Sequence, residues 1–203
     1  MKQRLKSGLG AAGLVLALGA LVSTFPLTWA SDQDMAPSIR QGELLVLGPV
    51  GELERGDVVL VEDPAEPGRL VLRRVLAMDR GEVKLHSGLF HVERQELRQA
   101  EMGRDEQLVT LSEANRYLIA RADRRLAEPS RSWTLEQGQL FLAADLREGP
   151  MDSRHWGPVP DSAVRKKLLW RVEGEDAWRQ PMAASAQDGP WIPVSKQKPP
   201  EGT

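Results

Sequence analysis

Side chains able to do chemistry gather in three short stretches of the sequence. The first is Asp32-Gln33-Asp34-Met35-Ala36-Pro37-Ser38-Ile39, and the second is Leu72-Arg73-Arg74-Val75-Leu76. The third runs from Asp145-Leu146-Arg147 to Asp152-Ser153-Arg154-His155-Trp156. Two carboxylates brought together, Asp34 with Asp32 or with Asp145, offer the pair of an aspartic peptidase, which works only while one of them stays protonated. An arginine beside such a pair would count against that chemistry, because a guanidinium holds a neighbouring carboxylate ionised. A serine with an amine base needs Ser31 or Ser38 beside one of the lysines that precede the tail, Lys84, Lys166 and Lys167. The three histidines, His86, His91 and His155, fall at no metal-ligand spacing. The absence of cysteine removes thiol nucleophiles, disulfides and Cys-type zinc sites together. No metal and no cofactor is expected. Aspartate and arginine one residue apart, as at Asp145 and Arg147 or Asp152 and Arg154, suit ion pairs that tie a loop to neighbouring strands.

These stretches need a folded body to hold them. Of 203 residues, 41% are apolar and 28% charged, enough to bury the core of one ordinary domain. A net charge of -2 lacks the basic excess that tracking a nucleic-acid backbone requires, so nucleic acid is not an expected partner. Runs rich in Val and Leu, bounded by Gly, Pro or Asp, predict strands over 43–47, 57–62, 70–78, 82–85, 140–144 and 165–172. Gly42, Gly56, Gly68 and Gly81 punctuate them at roughly 12 to 14 residues, which favours antiparallel meanders over a parallel sheet with helical spacers. The fold class is therefore mainly β. The charged middle, near 92–130, reads as a solvated, partly helical insertion in a body spanning 31–181. The proline-bearing end, 182–203, reads as a disordered tail. Trp133, Trp156, Trp170, Trp178 and Trp191 read as core or rim packing, with a Trp-bearing edge in a headgroup layer as the other reading.

Ahead of the body, Gly8 to Ala30 contains no charged residue. As a helix rising 1.5 Å per residue it would span about 35 Å, enough for a bilayer core of about 30 Å. Lys2, Arg4 and Lys6 precede it while Asp32 and Asp34 follow, so the positive-inside bias keeps residues 1–7 in the cytoplasm and exports the rest. A transmembrane anchor over 8–30 is the expectation, since the apolar run exceeds the usual core of a cleaved leader; Thr28-Trp29-Ala30 leaves cleavage as the competing reading. Pro26 ends or kinks the helix near its outer end.

Taken in order, the three stretches carry a resemblance. Asp34-Met35-Ala36-Pro37-Ser38-Ile39 is similar to the Ser-Met-x-Pro-Thr-Leu box of bacterial type I signal peptidases. Arg55-Gly56-Asp57-Val58-Val59-Leu60, followed by Leu72-Arg73-Arg74-Val75-Leu76, resembles that family's Gly-Asp strand and its Lys-Arg-Val strand. Ala144 to Pro160 resembles the Gly-Asp-Asn-Arg box running into Asp-Ser-Arg-x-Trp-Gly-x-Val-Pro, with His155 in the aromatic place before Trp156. The resemblance implies an antiparallel signal-peptidase-like β domain after one N-terminal transmembrane helix. It also implies a body that rests on the outer face of the bacterial inner membrane and grips exported chains as an added β-strand, in a groove around Met35, Pro37, Ile39 and Leu72.

The same resemblance places a serine nucleophile at Asp34 and a neutral lysine base at Arg73. A carboxylate cannot make the serine's attack, and a guanidinium, protonated at any accessible pH, cannot take its proton. The serine that orients the lysine falls at Pro150, and a serine that contributes to the oxyanion site falls at Asp32, where a negative charge opposes acyl transfer. The substituted dyad, if the family geometry holds, becomes an ion pair; the other reading leaves both side chains solvated. Asp145, Arg147, Asp152, Ser153 and Arg154 read as structural. The function expected is that of a pseudopeptidase binding signal-peptide-like segments of exported proteins or a membrane partner; the alternative is an active signal peptidase using a residue set outside the family pattern.

Overall fold

A computed structural model of the chain describes residues 23–104, 108–114, 116–122, 130–172 and, for the backbone alone, 191–193. The chain leaves a last helical turn at Ser23 and Thr24, and Pro26, which cannot supply an N–H to continue it, precedes a strand, β1 (Leu27–Trp29). The end of the stretch expected as a transmembrane helix is thus extended chain, hydrogen-bonded antiparallel to β2 (Leu44–Gly48). Residues 8–22 of that stretch lie outside the described residues, and among the described ones no helix is long and apolar enough to cross a membrane.

The central sheet continues through β3 (Val58–Glu62) and β4 (Leu70–Met78). Further along the chain come β12 (Gln139–Ala143), β13 (Val159–Pro160) and β14 (Val164–Val172). Their spatial order is β1-β2-β14-β3-β4-β12-β13, with antiparallel pairing throughout. Strands β2 and β3 alternate buried and half-buried residues, as a sheet with one covered face must, while β4 is buried almost continuously from Arg73 to Ala77. Beside it lies a four-stranded sheet in the order β11-β5-β6-β7, from β5 (Glu82–His86), β6 (Leu89–Val92), β7 (Gln95–Glu96) and β11 (Arg131–Thr134).

The charged middle departs from its reading as a partly helical, solvated insertion. Strands β8 (Gln99–Arg104), β9 (Leu108–Glu113) and β10 (Tyr117–Ala122) form a three-stranded sheet, and its Val109, Leu111, Tyr117 and Ile119 enter the largest apolar cluster with Leu76, Phe90 and Phe141. The charges explain the discrepancy: β8 carries Glu101 and Arg104 on exposed positions, while the one charge of β9, Glu113, is buried against Arg147. Phe141, fully buried, stacks edge-on against Phe90 with centroids 6.0 Å apart and lies 4.8 Å from Trp133. In the tail, 182–190 and 194–203 lie outside the described residues, and Trp191–Pro193 form a short strand, β15, beside β14.

Candidate functional site

Asp34 sits in the loop between β1 and β2. That loop is fixed at both ends of its turn: Ile39 N–H donates to the Met35 carbonyl at 2.8 Å, and Leu146 N–H donates to the Asp34 carbonyl at 2.9 Å. Met35 and Ile39 lock it from below, because both are buried with Leu45, Leu47, Val58 and Leu168. They are therefore core residues and do not line an open groove, whereas Pro37 and Leu72 are half-buried. The Ala36–Pro37 peptide bond is cis.

Arg73 approaches from β4, where it pairs with Val59 of β3. Its Nη2 lies 2.9 Å from Asp34 Oδ2, with the arginine side chain 2% exposed and the aspartate 22% exposed. The guanidinium does more than pair. Its Nε and Nη2 donate to the Met151 carbonyl at 3.0 and 2.8 Å, its Nη1 donates to the Leu72 carbonyl at 2.6 Å, and its carbon lies 5.7 Å from the centre of the Trp156 ring. Asp32, half-buried, accepts the Asp34 N–H at 3.1 Å on Oδ1 and the Ser31 hydroxyl at 3.1 Å on Oδ2. Pro150 is buried beside Met151.

Ser38, Lys84 and Lys167 are engaged elsewhere. Ser38 donates its hydroxyl to the Leu118 carbonyl at 2.7 Å. Lys84 is paired with Glu82 at 3.0 Å and Lys167 with Asp57 at 2.7 Å. Asp145 does not meet Asp34 as a second carboxylate; its oxygens accept from Arg74 Nε, at 2.8 Å, and from Arg74 Nη2. Among the described residues no group of three His, Asp or Glu side chains is arranged to hold a metal ion.

Beneath the site lies a framework of buried ion pairs. Arg74 also donates to the Gly56 carbonyl at 2.7 Å and lies 4.2 Å from the centre of the Tyr117 ring. Arg147 pairs with Glu113, which also accepts the Tyr117 hydroxyl at 3.0 Å. Burial, reinforced by the Glu113 carboxylate, pushes the Tyr117 hydroxyl well above its ordinary pKa, so it stays a neutral donor. Asp152 caps α1 (Ser153–Trp156), accepts from the Ala144 and Arg154 N–H groups and is gripped by the Arg154 guanidinium at 2.8 Å. Burial opposes the charge on Asp152, but the His155 ring and the Arg154 guanidinium outweigh it and hold the carboxyl well below the usual carboxylate range. Ser153 supports the same corner by accepting the Leu142 N–H at 2.9 Å.

The structure thus brings Asp34 and Arg73 together and ties the Asp145–Arg154 stretch to them through the Leu146 N–H and the Met151 carbonyl; sequence reasoning gave no part to Glu113, Tyr117 or the carbonyls of Leu72 and Met151, and Arg74 none beyond its place in the second stretch. Two adjacent arginines inside an apolar strand are the signal for Arg74, since both faces of such a strand are covered and each charge needs a partner. Nothing in the charged middle distinguishes Glu113 from its exposed neighbours.

Residues 4–172 match the family model described as Signal peptidase, peptidase S26. Signal peptidase I of Pseudomonas aeruginosa is 29% identical over 142 residues, 61% of this chain and 46% of its own. The mitochondrial ATP-independent inner membrane protease subunit 1a of Arabidopsis thaliana is 29% identical over 122 residues, 60% of this chain and 52% of its own. The chain therefore spans about half the length of these two curated relatives. A crystal structure of a signal peptidase I from Enterococcus faecalis is similar with a TM-score of 0.40 at 16% identity, covering 59% of this chain and 99% of that one.

Proposed function

Because the chain belongs to the signal peptidase family, peptidase S26, we propose that it is a signal peptidase I-like membrane protein without peptidase chemistry, one that binds signal-peptide-like segments or a membrane partner. The observation that carries this reading is the ion pair between Asp34 and Arg73, standing where the family resemblance puts a serine and a lysine. A carboxylate already paired to a guanidinium supplies neither an alkoxide nor an empty base. The Asp32 carboxylate, at a position where the resemblance puts an oxyanion-contributing serine, accepts the Asp34 N–H and adds a negative charge that opposes acyl transfer. Peptide capture needs none of these groups, because main-chain hydrogen bonds to a strand edge supply it.

Attachment to the outer face of a bacterial inner membrane by a single N-in anchor is part of the same proposal. It is supported by the uncharged run from Gly8 and by a sheet face next to it. Leu27, Val46 and Trp170 stand in one cross-strand row, and Trp29, Leu44 and Val172 in the next, all six exposed or half-buried on the face opposite Leu45 and Leu47. Trp29 is 66% exposed. An apolar surface ending in tryptophans suits the headgroup layer.

The decisive experiment incubates the purified full chain with a preprotein beside a competent signal peptidase. No cleavage above buffer, together with saturable binding of the preprotein, is the expected result. Turnover that survives changes at Asp34 and Arg73 refutes the pseudopeptidase and establishes the alternative, a peptidase built from other residues.

A further inference from the structure

Strand β4 has a partner on both sides only over part of its length. On one side β3 pairs with it from Leu70 to Arg74, but on the other the β12 register ends with Ala143 opposite Arg74. Val75 donates to Asp57 and accepts from Gly56, so its main-chain groups face β3; alternation turns those of Arg73 the same way and those of Leu72 toward the side that β12 has left. This is a sheet edge of the kind to which an extended peptide adds. Its Leu72 carbonyl, however, already accepts from Arg73 Nη1.

We infer that Arg73 is a clamp that closes this edge. One guanidinium joins three segments: Leu72 on β4, Met151 ahead of α1, and Asp34 in the loop after β1. The planar fork of arginine supplies the directed donors for three acceptors at once, which the compact ammonium of lysine on its flexible stem does not reproduce. A peptide strand laid against Leu72 competes with Nη1 for its carbonyl, and Nη1 is held in place by the same guanidinium's bonds to Met151 and its pairing with Asp34. Deepening the peptide-binding reading, on which it rests, the clamp makes the substituted dyad position a gate: the edge is presented only when Arg73 lets go.

The test compares the full chain in detergent with Arg73→Lys and Arg73→Gln, the second keeping length without charge. It uses a fluorescein-labelled synthetic signal-peptide segment ending in Ala-Gln-Ala and, in parallel, hydrogen exchange over 70–73 and 149–152. Loss of the clamp should tighten peptide binding about tenfold, the scale of one charge-assisted hydrogen bond released beforehand, and speed exchange over 149–152. Unchanged or weaker binding with unchanged exchange in folded variants overturns the clamp. Faster exchange over 149–152 with no peptide binding by any variant upholds the clamp and removes the peptide-binding reading. Should Arg73→Gln fail to fold, Asp34→Asn carries the same measurements: it leaves Leu72 and Met151 held, so the clamp predicts only a small change in exchange, and a change as large as that of Arg73→Lys overturns it.

Discussion

Adjacent arginines on β4 do opposite jobs, and substitution should separate them. Arg74 is buried with Asp145, so Arg74→Met strands a carboxylate without a partner and should cost about 3 to 5 kcal/mol in urea unfolding, whereas removal of both charges together costs far less. Arg73, by contrast, pairs with an aspartate that keeps contact with water, and it also holds the Leu72 and Met151 carbonyls, so Asp34→Ser should cost less in urea unfolding than Arg74→Met. That single change should leave a preprotein uncut, because Arg73 still cannot act as a base. Asp34→Ser combined with Arg73→Lys is the combination that a gel assay should examine for a trace of product, with Pro150 limiting it. Asp152 gives a pH signature. Its carboxyl is held below the ordinary value of about 3.9, so the stability it contributes is complete above that value and drains away as pH falls further. The gap in urea midpoint between the protein and Asp152→Asn should be constant at neutral pH and narrow below about pH 4.

At the scale of elements, Phe141 on β12 is the residue on which the four-stranded sheet leans, through Phe90 of β6 and Trp133 of β11. Phe141→Ala should cost about 3 to 5 kcal/mol, read as a lowered thermal midpoint with near-ultraviolet dichroism weakened first. Strands β2, β3, β4, β12 and β14 of the central sheet were legible because each is a Val- and Leu-rich run with a glycine, proline or aspartate near its border, and β4 was read to its end residues; β1 and β13 are too short to carry that signal. The middle was not legible, since β9 and β10 bury Glu113 and Tyr117 by pairing them with each other and with Arg147. Composition counts a charge; only the fold says whether a partner stands opposite. For the same reason Met35 and Ile39 read as groove residues from their place in a motif and proved to be core, whereas the meeting of Asp34 with Arg73 followed from the family's geometry alone.

For the whole molecule, the proposed topology makes two measurements. Protease added outside intact spheroplasts should digest the body while the purified protein keeps its first residues; an N-terminus at Ser31 would mean a cleaved leader. The natural sequence has no cysteine, so single cysteines can be placed at will. A fluorophore sensitive to polarity should shift to the blue on vesicles when carried at Trp170 and stay unchanged at Met102 on β8. Strand β1 adds a consequence of its own. Leu47 N–H donates to the Pro26 carbonyl at 3.0 Å, Ala30 N–H to Glu43 at 2.9 Å and Gly42 N–H to Ala30 at 2.9 Å, so the entering chain is laid along β2 from Pro26 to Ala30. That junction is a lap joint, where a flexible linker would be a swivel. Pulling Pro26 to Ala30 off β2 means breaking that row of hydrogen bonds, so any hinge between the body and what precedes Ser23 lies ahead of Pro26.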